Sequence, residues 1–462
     1  LLASRIMPLT VLTDSDVREL LHSLSKEDVD ELQQNLAEAL HSYSTGDTNS
    51  PCCASFQPHR TVIKKNGITT LFMPASTGTT VGMKIVSLEQ PENPNVPSKK
   101  SSVSSGTPGS ISGASTGVST TSSASVKSAT NDLSSLILTP SSTTSARSDS
   151  VDGTSFQPPA SLASSQSSTP KGSVTLLDSM GNPVGIVNAE ELTAFRTALA
   201  ATMLLKKRQT VHTVTVFGAG KQAYWHIRLA LLLKGDQIRH VNIINRTFER
   251  SIKLMKAFQI THDSHDQWRK DVKFSAMSPE FGEYGRLLKE EVRKADVIFC
   301  CTPSVEPLFP AEFLTSREGQ KKGRYISAIG SYAPHMCEVH PDVFRAAVAS
   351  HHGHRHHHKH AHQEGVIIVD SLESCLKEAG EIIKAKLTPE HLVEIGELMM
   401  IKKAATQEIE LGGPGEQGLL DWLTKGNVIY KSVGMGLMDL VVAGDLIALG
   451  RERDVGVRID DF

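Results

Sequence analysis

Apolar positions along this chain change their period several times, and each change marks an element or a boundary. Near the start, Val29, Leu32, Leu36 and Leu40 recur at helical spacing behind Ser25 and Asp28, whose three-residue separation is that of a capping box. Thr13 and Asp16 form a second such pair, and Gly46 closes the segment, as expected of a left-handed helix end. The period then drops to that of strands, with Thr61–Lys64 and Thr69–Met73 flanking Lys65-Asn66-Gly67. Asn-Gly between two such runs signals a hairpin. A further strand is expected at Gly82–Leu88.

Periodicity disappears over residues 97–170, where Ser and Thr dominate. Such a stretch cannot bury enough apolar surface to offset its ordering entropy, so a disordered insertion is expected. Beyond it, Ser173–Leu177, the turn Asp178–Asn182 and Pro183–Val187 read as a second hairpin. Strands on both sides place the insertion within a domain, since loop closure grows costlier only slowly with length. A helix then runs from Asn188 through Leu192, Arg196, Leu199 and Met203 to Leu205.

From there strands alternate with helices. Strands are expected at Val211–Phe217, His240–Ile244, Asp296–Cys300, Tyr325–Ile329 and Val366–Val369, with a helix at Gln222–Lys234. That alternation predicts a doubly wound parallel sheet. Thr388-Pro389 reads as a helix start, and the tail from Asn427 alternates before Ser432-Val433-Gly434 and a final helix through Leu440. A His-rich patch, residues 351–362, reads as a solvated loop, and no metal site is assigned to it.

Composition narrows the function classes. The 48 basic and 50 acidic residues nearly cancel, at net charge -2, which leaves no electrostatic footprint for nucleic acid or an anionic membrane. No apolar run approaches the ~20 residues that span a bilayer. The first residues lack a basic segment followed by a long apolar one, Met7 reads as the initiator, and a cytoplasmic location is expected. The six cysteines form no C-x-x-C pair and read as buried thiols of a reducing compartment.

The sharpest local signal follows the strand ending at Phe217: Gly218-Ala219-Gly220-Lys221-Gln222-Ala223. In a strand–turn–helix setting, Gly218 permits the tight turn and Gly220 lets the backbone approach a pyrophosphate. Ala223 allows close helix–sheet packing, and the helix N-terminus offers free N–H groups to phosphates. After the next strand stand Asn245, Arg246 and Thr247, with no carboxylate until Glu249. An NAD site commonly has Asp or Glu there to hold the ribose diol, whereas Arg246 and Thr247 could hold a 2′-phosphate. The expected cofactor is therefore NADP(H), with NAD(H) as the alternative. Thr302 and Ser331 each follow a later strand and are expected to border the same crevice.

Together these segments resemble the ornithine cyclodeaminase/mu-crystallin family, and in particular its ketimine reductase-like, fungal-type members. The resemblance rests on Gly82-Met83-Lys84-Ile85-Val86, Leu192-Thr193-Ala194-Phe195-Arg196, the Gly218–Ala223 turn, Ile329–Pro334 with Glu338, and Lys431–Gly434 with Asp439. It implies an α/β protein in which a Rossmann-type doubly wound parallel sheet is inserted into a discontinuous α+β substrate/dimerisation domain. Residues 7–96, 171–205 and 427–462 would form the latter domain, and residues 206–426 the former. It further implies a homodimer acting on a small imino or amino acid. Lys84 would lie beside the reacting carbon, with Arg196 and Arg60 on the substrate carboxylate.

One position departs from the cyclodeaminases, which carry an aspartate where this chain has Tyr332. A phenol with an unperturbed pKa near ~10 does not replace a carboxylate base. The expected activity is NADPH-dependent reduction of a cyclic ketimine carboxylate, such as pyrroline- or piperideine-2-carboxylate, to proline or pipecolate. The alternatives are an NAD-dependent ornithine cyclodeaminase and a non-catalytic NADP(H)-dependent binding protein.

Overall fold

Two sheets, joined through a buried helix, organise the chain in a computed structural model that describes residues 8–46, 57–89, 170–259, 272–349, 365–398, 414–460 and 462. The expected Ser-rich insertion (up to residue 169) and the His-rich patch lie outside the described residues, as does Met7.

The N-terminal capping boxes form at both expected places. Thr13 caps α1 (Asp14–His22) and Ser25 caps α2 (Lys26–Thr45), each with its reciprocal aspartate. Asn66 and Gly67 both take positive φ, 53° and 73°, and so close a tight hairpin between β2 (Thr61–Lys65) and β3 (Ile68–Ser76). Next comes β4 (Thr80–Glu89), which pairs antiparallel with β3 and with β5 (Lys171–Asp178). The turn into β6 (Pro183–Asn188) is pinned by the Asp178 carboxylate, which accepts from the amides of Met180 and Asn182. Two strands not foreseen complete this seven-stranded sheet: β1 (Leu9–Leu12), parallel to β6, and a C-terminal strand, Val457–Ile459, antiparallel to β1.

Helix α3 (Ala189–Leu205) starts at the Asn188 cap and is buried on nearly every side. A helix apolar all round is a core helix, and its few polar residues, Arg196 among them, are therefore conspicuous. The second sheet has eight strands, all parallel. From β7 (Thr213–Phe217) the chain moves outward through α4 (Lys221–Lys234), β8 (His240–Ile244) and β9 (Lys273–Met277). It then returns to place β10 (Val297–Cys300) on the other side of β7, followed by β11 (Tyr325–Ala328). The strand order reverses between β7 and β10, and crevices at such switch points bind ligands. This is the mixed α/β architecture expected, with a Rossmann-like parallel sheet set into a discontinuous α+β region.

Two expectations fail. Thr388-Pro389 begins only a single 3-10 turn, Pro389–His391, and the chain continues as an edge strand of the parallel sheet, Leu392–Glu394. The tail strand Val428–Lys431 also belongs to the parallel sheet, beside β11, so the chain crosses back after Lys431 rather than at residue 427. Both segments are short apolar runs whose partners are distant in sequence, and local pattern does not specify such pairing. The C-terminal helix, Gly436–Glu452, then packs on the seven-stranded sheet, so closely that a Cβ at Gly82 would lie 2.5 Å from Leu440 Cδ1. No helix among the described residues is long and apolar enough to cross a membrane.

Candidate functional site

Strand alternation decides which side chains of β4 face inward. Gly82, Lys84 and Val86 are buried, while Val81, Met83 and Ile85 are exposed. The Lys84 ammonium donates to Thr193 Oγ1 on α3 and to Asp439 Oδ1 on the C-terminal helix, both at 2.8 Å. Arg196, three residues beyond Thr193 and so on the same helix face, donates Nε to the same Asp439 oxygen at 3.1 Å. Asp439 is fully buried, and its Oδ2 has no hydrogen-bond partner among the described residues. Burial pushes the Lys84 ammonium down to about 8, against the pull of Asp439 and with the repulsion of Arg196.

The turn after Lys431 closes over Arg196. Gly434 takes φ +81°, and a Cβ there would sit 3.0 Å from Arg196 Nη2. Asp370 holds that turn, accepting from Ser432 Oγ at 2.6 Å, Val433 N at 3.1 Å and Gly434 N at 2.7 Å. Arg60 reaches the same cleft, but its guanidinium is engaged by Glu378, with Nε 3.0 Å from Oε1. Burial lowers the Arg60 pKa, while Asp370 and Tyr332 oppose that shift. The cleft, open to solvent, spans about 960 Å³. Arg60, Lys84 and Arg196 line it among mostly apolar groups such as Leu71, Met73 and Val433, together with polar residues that include Thr193, Gln222 and Tyr332.

A second cleft, about 910 Å³, runs along the ends of β7 and β8. Gly218, Ala219 and Gly220 line it, as do Asn245, Arg246 and Thr247. Gly218 has φ +110°, and a Cβ would lie 2.8 Å from Cys301 O, so only glycine fits without strain. At Gly220 a Cβ would meet nothing within 4 Å. Gly220 is also the N-cap of α4 and contributes no side-chain cap, which leaves the first amides of that helix for an anion. These residues fit a dinucleotide: the turn would hold its pyrophosphate and residues 245–247 its adenosine end. The two clefts share Cys301, Thr302 and Pro303, so the dinucleotide cleft opens directly onto the one lined by Arg60, Lys84 and Arg196.

Gln222 and Ser331, expected at the cofactor, stand away from the dinucleotide cleft, whereas Ala223 is buried as its expected helix–sheet packing requires. Gln222 lines the substrate-side cleft, with Nε2 3.4 Å from Thr193 O. Ala223 is fully buried against the sheet. Ser331 is also fully buried, donating to Glu381 and accepting from the Lys431 ammonium. Arg250, not foreseen, joins the dinucleotide cleft from the first turn of the helix Phe248–Gln259. Asp370 and Thr193 were also missed. Asp370 does carry a readable mark, a carboxylate directly after the buried run Val366–Val369.

Among curated relatives, the chain is 28% identical over 290 residues to the uncharacterized protein YGL159W of Saccharomyces cerevisiae (58% of this chain, 71% of that one). It is 26% identical to a delta(1)-pyrroline-2-carboxylate reductase of Bacillus cereus over 303 residues (63% and 75%). With the ketimine reductase mu-crystallin of Mus musculus it shares 27% identity over 277 residues (59% and 67%). Similar solved structures include an archaeal alanine dehydrogenase dimer with bound NAD (TM-score 0.60, 17% identity, covering 99% of this chain and 100% of that one). Two others are the Thermococcus litoralis delta(1)-pyrroline-2-carboxylate reductase with NADH and L-proline (0.59, 16%, 97% and 100%) and the Paracoccus denitrificans iminosuccinate reductase with NAD+ (0.56, 15%, 98% and 99%).

The cofactors in these structures overturn the expectation of NADP(H): all three hold NAD(H). The reason lies in what an Arg after the second strand can do. A guanidinium stacks on a flat ring as readily as it forks onto a phosphate, so Arg246 alone does not mark a 2′-phosphate. Here the Asn245 amide also folds onto Thr247 O at 2.9 Å, and that contact shapes the turn without any phosphate. The family model for the ornithine cyclodeaminase/mu-crystallin family matches residues 120–409, and the chain belongs to that family.

Proposed function

We propose that this protein is an NADH-dependent reductase of a cyclic ketimine carboxylate, of the pyrroline- or piperideine-2-carboxylate type. The observation that carries this reading is the pairing of Lys84 and Arg196 on one buried Asp439 oxygen, facing the residues shared with the dinucleotide cleft. Arg196 binds the substrate carboxylate, for which a planar guanidinium is the matching partner. Arg60, which lines the same cleft, exchanges part of its hold on Glu378 for that carboxylate. Lys84, charged at neutral pH yet easily deprotonated with its pKa near about 8, donates a proton to the imine nitrogen. With its pyrophosphate held at the Gly218–Gly220 turn, NADH would supply the hydride to the imine carbon. The apolar wall excludes water and holds the ring.

With NAD(H) as the cofactor, the nucleotide does not discriminate between a reductase and a cyclodeaminase. Tyr332 remains as the distinguishing residue. Its phenol, pushed above the usual Tyr range by desolvation, is no carboxylate base. The test is loss of NADH absorbance with purified protein and a panel of cyclic ketimine acids, beside an ammonia assay with ornithine. NADH consumption without ammonia release supports reduction; ammonia without net consumption would replace it with cyclodeamination.

Ile63, Ile68, Val81, Met83 and Ile85 stand exposed on one face of the seven-stranded sheet, opposite Lys84. A contiguous apolar face of this kind marks an interface, and the archaeal alanine dehydrogenase of similar fold is a dimer. We assign that face to a second copy of this chain.

A further inference from the structure

We infer that Glu338 is a positioning residue that ties together the two loops where the clefts meet and thereby sets the affinity for the dinucleotide. This rests on the functional reading only in taking NADH as the ligand. Glu338 Oε1 accepts from Thr302 N at 2.6 Å and Thr302 Oγ1 at 3.1 Å, directly after β10. Oε2 accepts from Gly330 N at 2.6 Å and Ser331 N at 3.2 Å, just beyond β11. One side chain therefore holds both loops. They are also in contact with each other, since a Cβ at Gly330 would lie 2.2 Å from Thr302 O. Thr302 lines both clefts, so any slackening of this brace is felt at the junction itself.

The carboxylate is itself held in place. Its own amide donates to Glu381 Oε1 at 2.7 Å, and its carbonyl accepts from Leu308 N at 2.8 Å. Glu338, Glu381 and Lys431 are all fully buried. Burial works against the Lys431 charge, but Glu381 and Glu338 hold the ammonium above the usual Lys range. The thiols of Cys300, Cys301 and Cys337 complete the titratable surroundings, and burial pushes each of them up. Burial likewise lifts the Glu338 carboxyl to about 7, opposed by Lys431 and the donating amides and reinforced by Glu381.

Protonation would turn one acceptor oxygen into a donor. Four N–H and O–H groups converge on this carboxylate, so one loop would then lose its partner. A buried donor left without an acceptor is costly, and the loop would shift away from the geometry that receives the dinucleotide. A glutamine at this position permanently resembles the protonated form, with one acceptor oxygen and one donating amide.

The experiment is a calorimetric NADH titration of the full chain across a pH series, for the wild type and Glu338→Gln. The wild-type affinity is expected to fall about tenfold as pH is lowered through the Glu338 pKa. Glu338→Gln should bind about tenfold more weakly at high pH and show no inflection. A variant that binds like the wild type, or keeps its inflection, overturns the proposal. If the variant does not fold, a wild-type affinity that is flat across this range overturns it equally. These titrations need no turnover. A protein that follows the expected pattern but reduces no ketimine acid supports the positioning role and overturns the functional reading.

Discussion

Lys84 and Arg196 share one oxygen atom: both donate to Asp439 Oδ1, at 2.8 and 3.1 Å, across an interval that joins a sheet strand, α3 and the C-terminal helix. Two cations thus depend on a single buried anion, and each lies within reach of the other's repulsion. The arrangement holds both at defined positions without an exposed charge.

Removing the anion should be severe. Asp439→Ala leaves two buried cations facing each other, a class of change that costs about 3–5 kcal/mol. Urea unfolding measures it directly, and a loss below about 1 kcal/mol would show that water already screens the pair. The same variant should lower the Lys84 pKa further, because Asp439 is the group that raises it.

Gly218→Ala tests the dinucleotide turn. At φ +110° any side chain is strained, and here the Cβ would also press on Cys301 O at 2.8 Å. About 1–3 kcal/mol of local strain is expected, relieved by moving the turn, with NADH affinity falling at least about tenfold. Calorimetric titration reads this, and unchanged affinity would mean that the turn does not hold the cofactor. Gly220→Ala makes a useful contrast: its Cβ meets no protein atom, so it should spare stability and weaken only NADH binding.

Much of this was legible because it is local. Capping pairs, the Asn66-Gly67 turn and the β7–α4 glycines are statements about neighbouring residues, and they form as read. Arg196 stands out on a helix that is apolar nearly all round, but its place at a substrate carboxylate was legible only through the motif resemblance. What escaped depends on distance along the chain. Asp370 reaches residues 432–434, Glu338 spans residues 302 to 331, and the strands Leu392–Glu394 and Val428–Lys431 find partners only through the sheet. The cofactor was misread for a different reason: a guanidinium has two modes of binding, and residue type does not choose between them.

The apolar sheet face makes a prediction about assembly. Met83 and Ile85 are 38% and 36% exposed on that face. Replacing both with lysine puts like charges where two copies would meet, without touching Lys84 on the other side of the strand. Sedimentation should show a wild-type dimer and a monomeric double variant. A double variant that stays dimeric moves the interface elsewhere.

The direction of the pH profile decides what Lys84 does. Its pKa, lowered to about 8 by burial, means that it carries its proton below that value and loses it above. If the charged ammonium donates to the imine nitrogen, kcat/KM falls as pH rises through the Lys84 pKa; a base in the same place would give the opposite slope. Lys84→Met should remove that limb and lower kcat by roughly 10²–10⁴-fold, the range of general acid catalysis. Asp439 sharpens the test, since weakening its pull by substitution to asparagine should shift the limb to lower pH and leave its sign unchanged. A limb that survives in Lys84→Met belongs to another group, and the proton would then have to come from solvent or from the substrate itself.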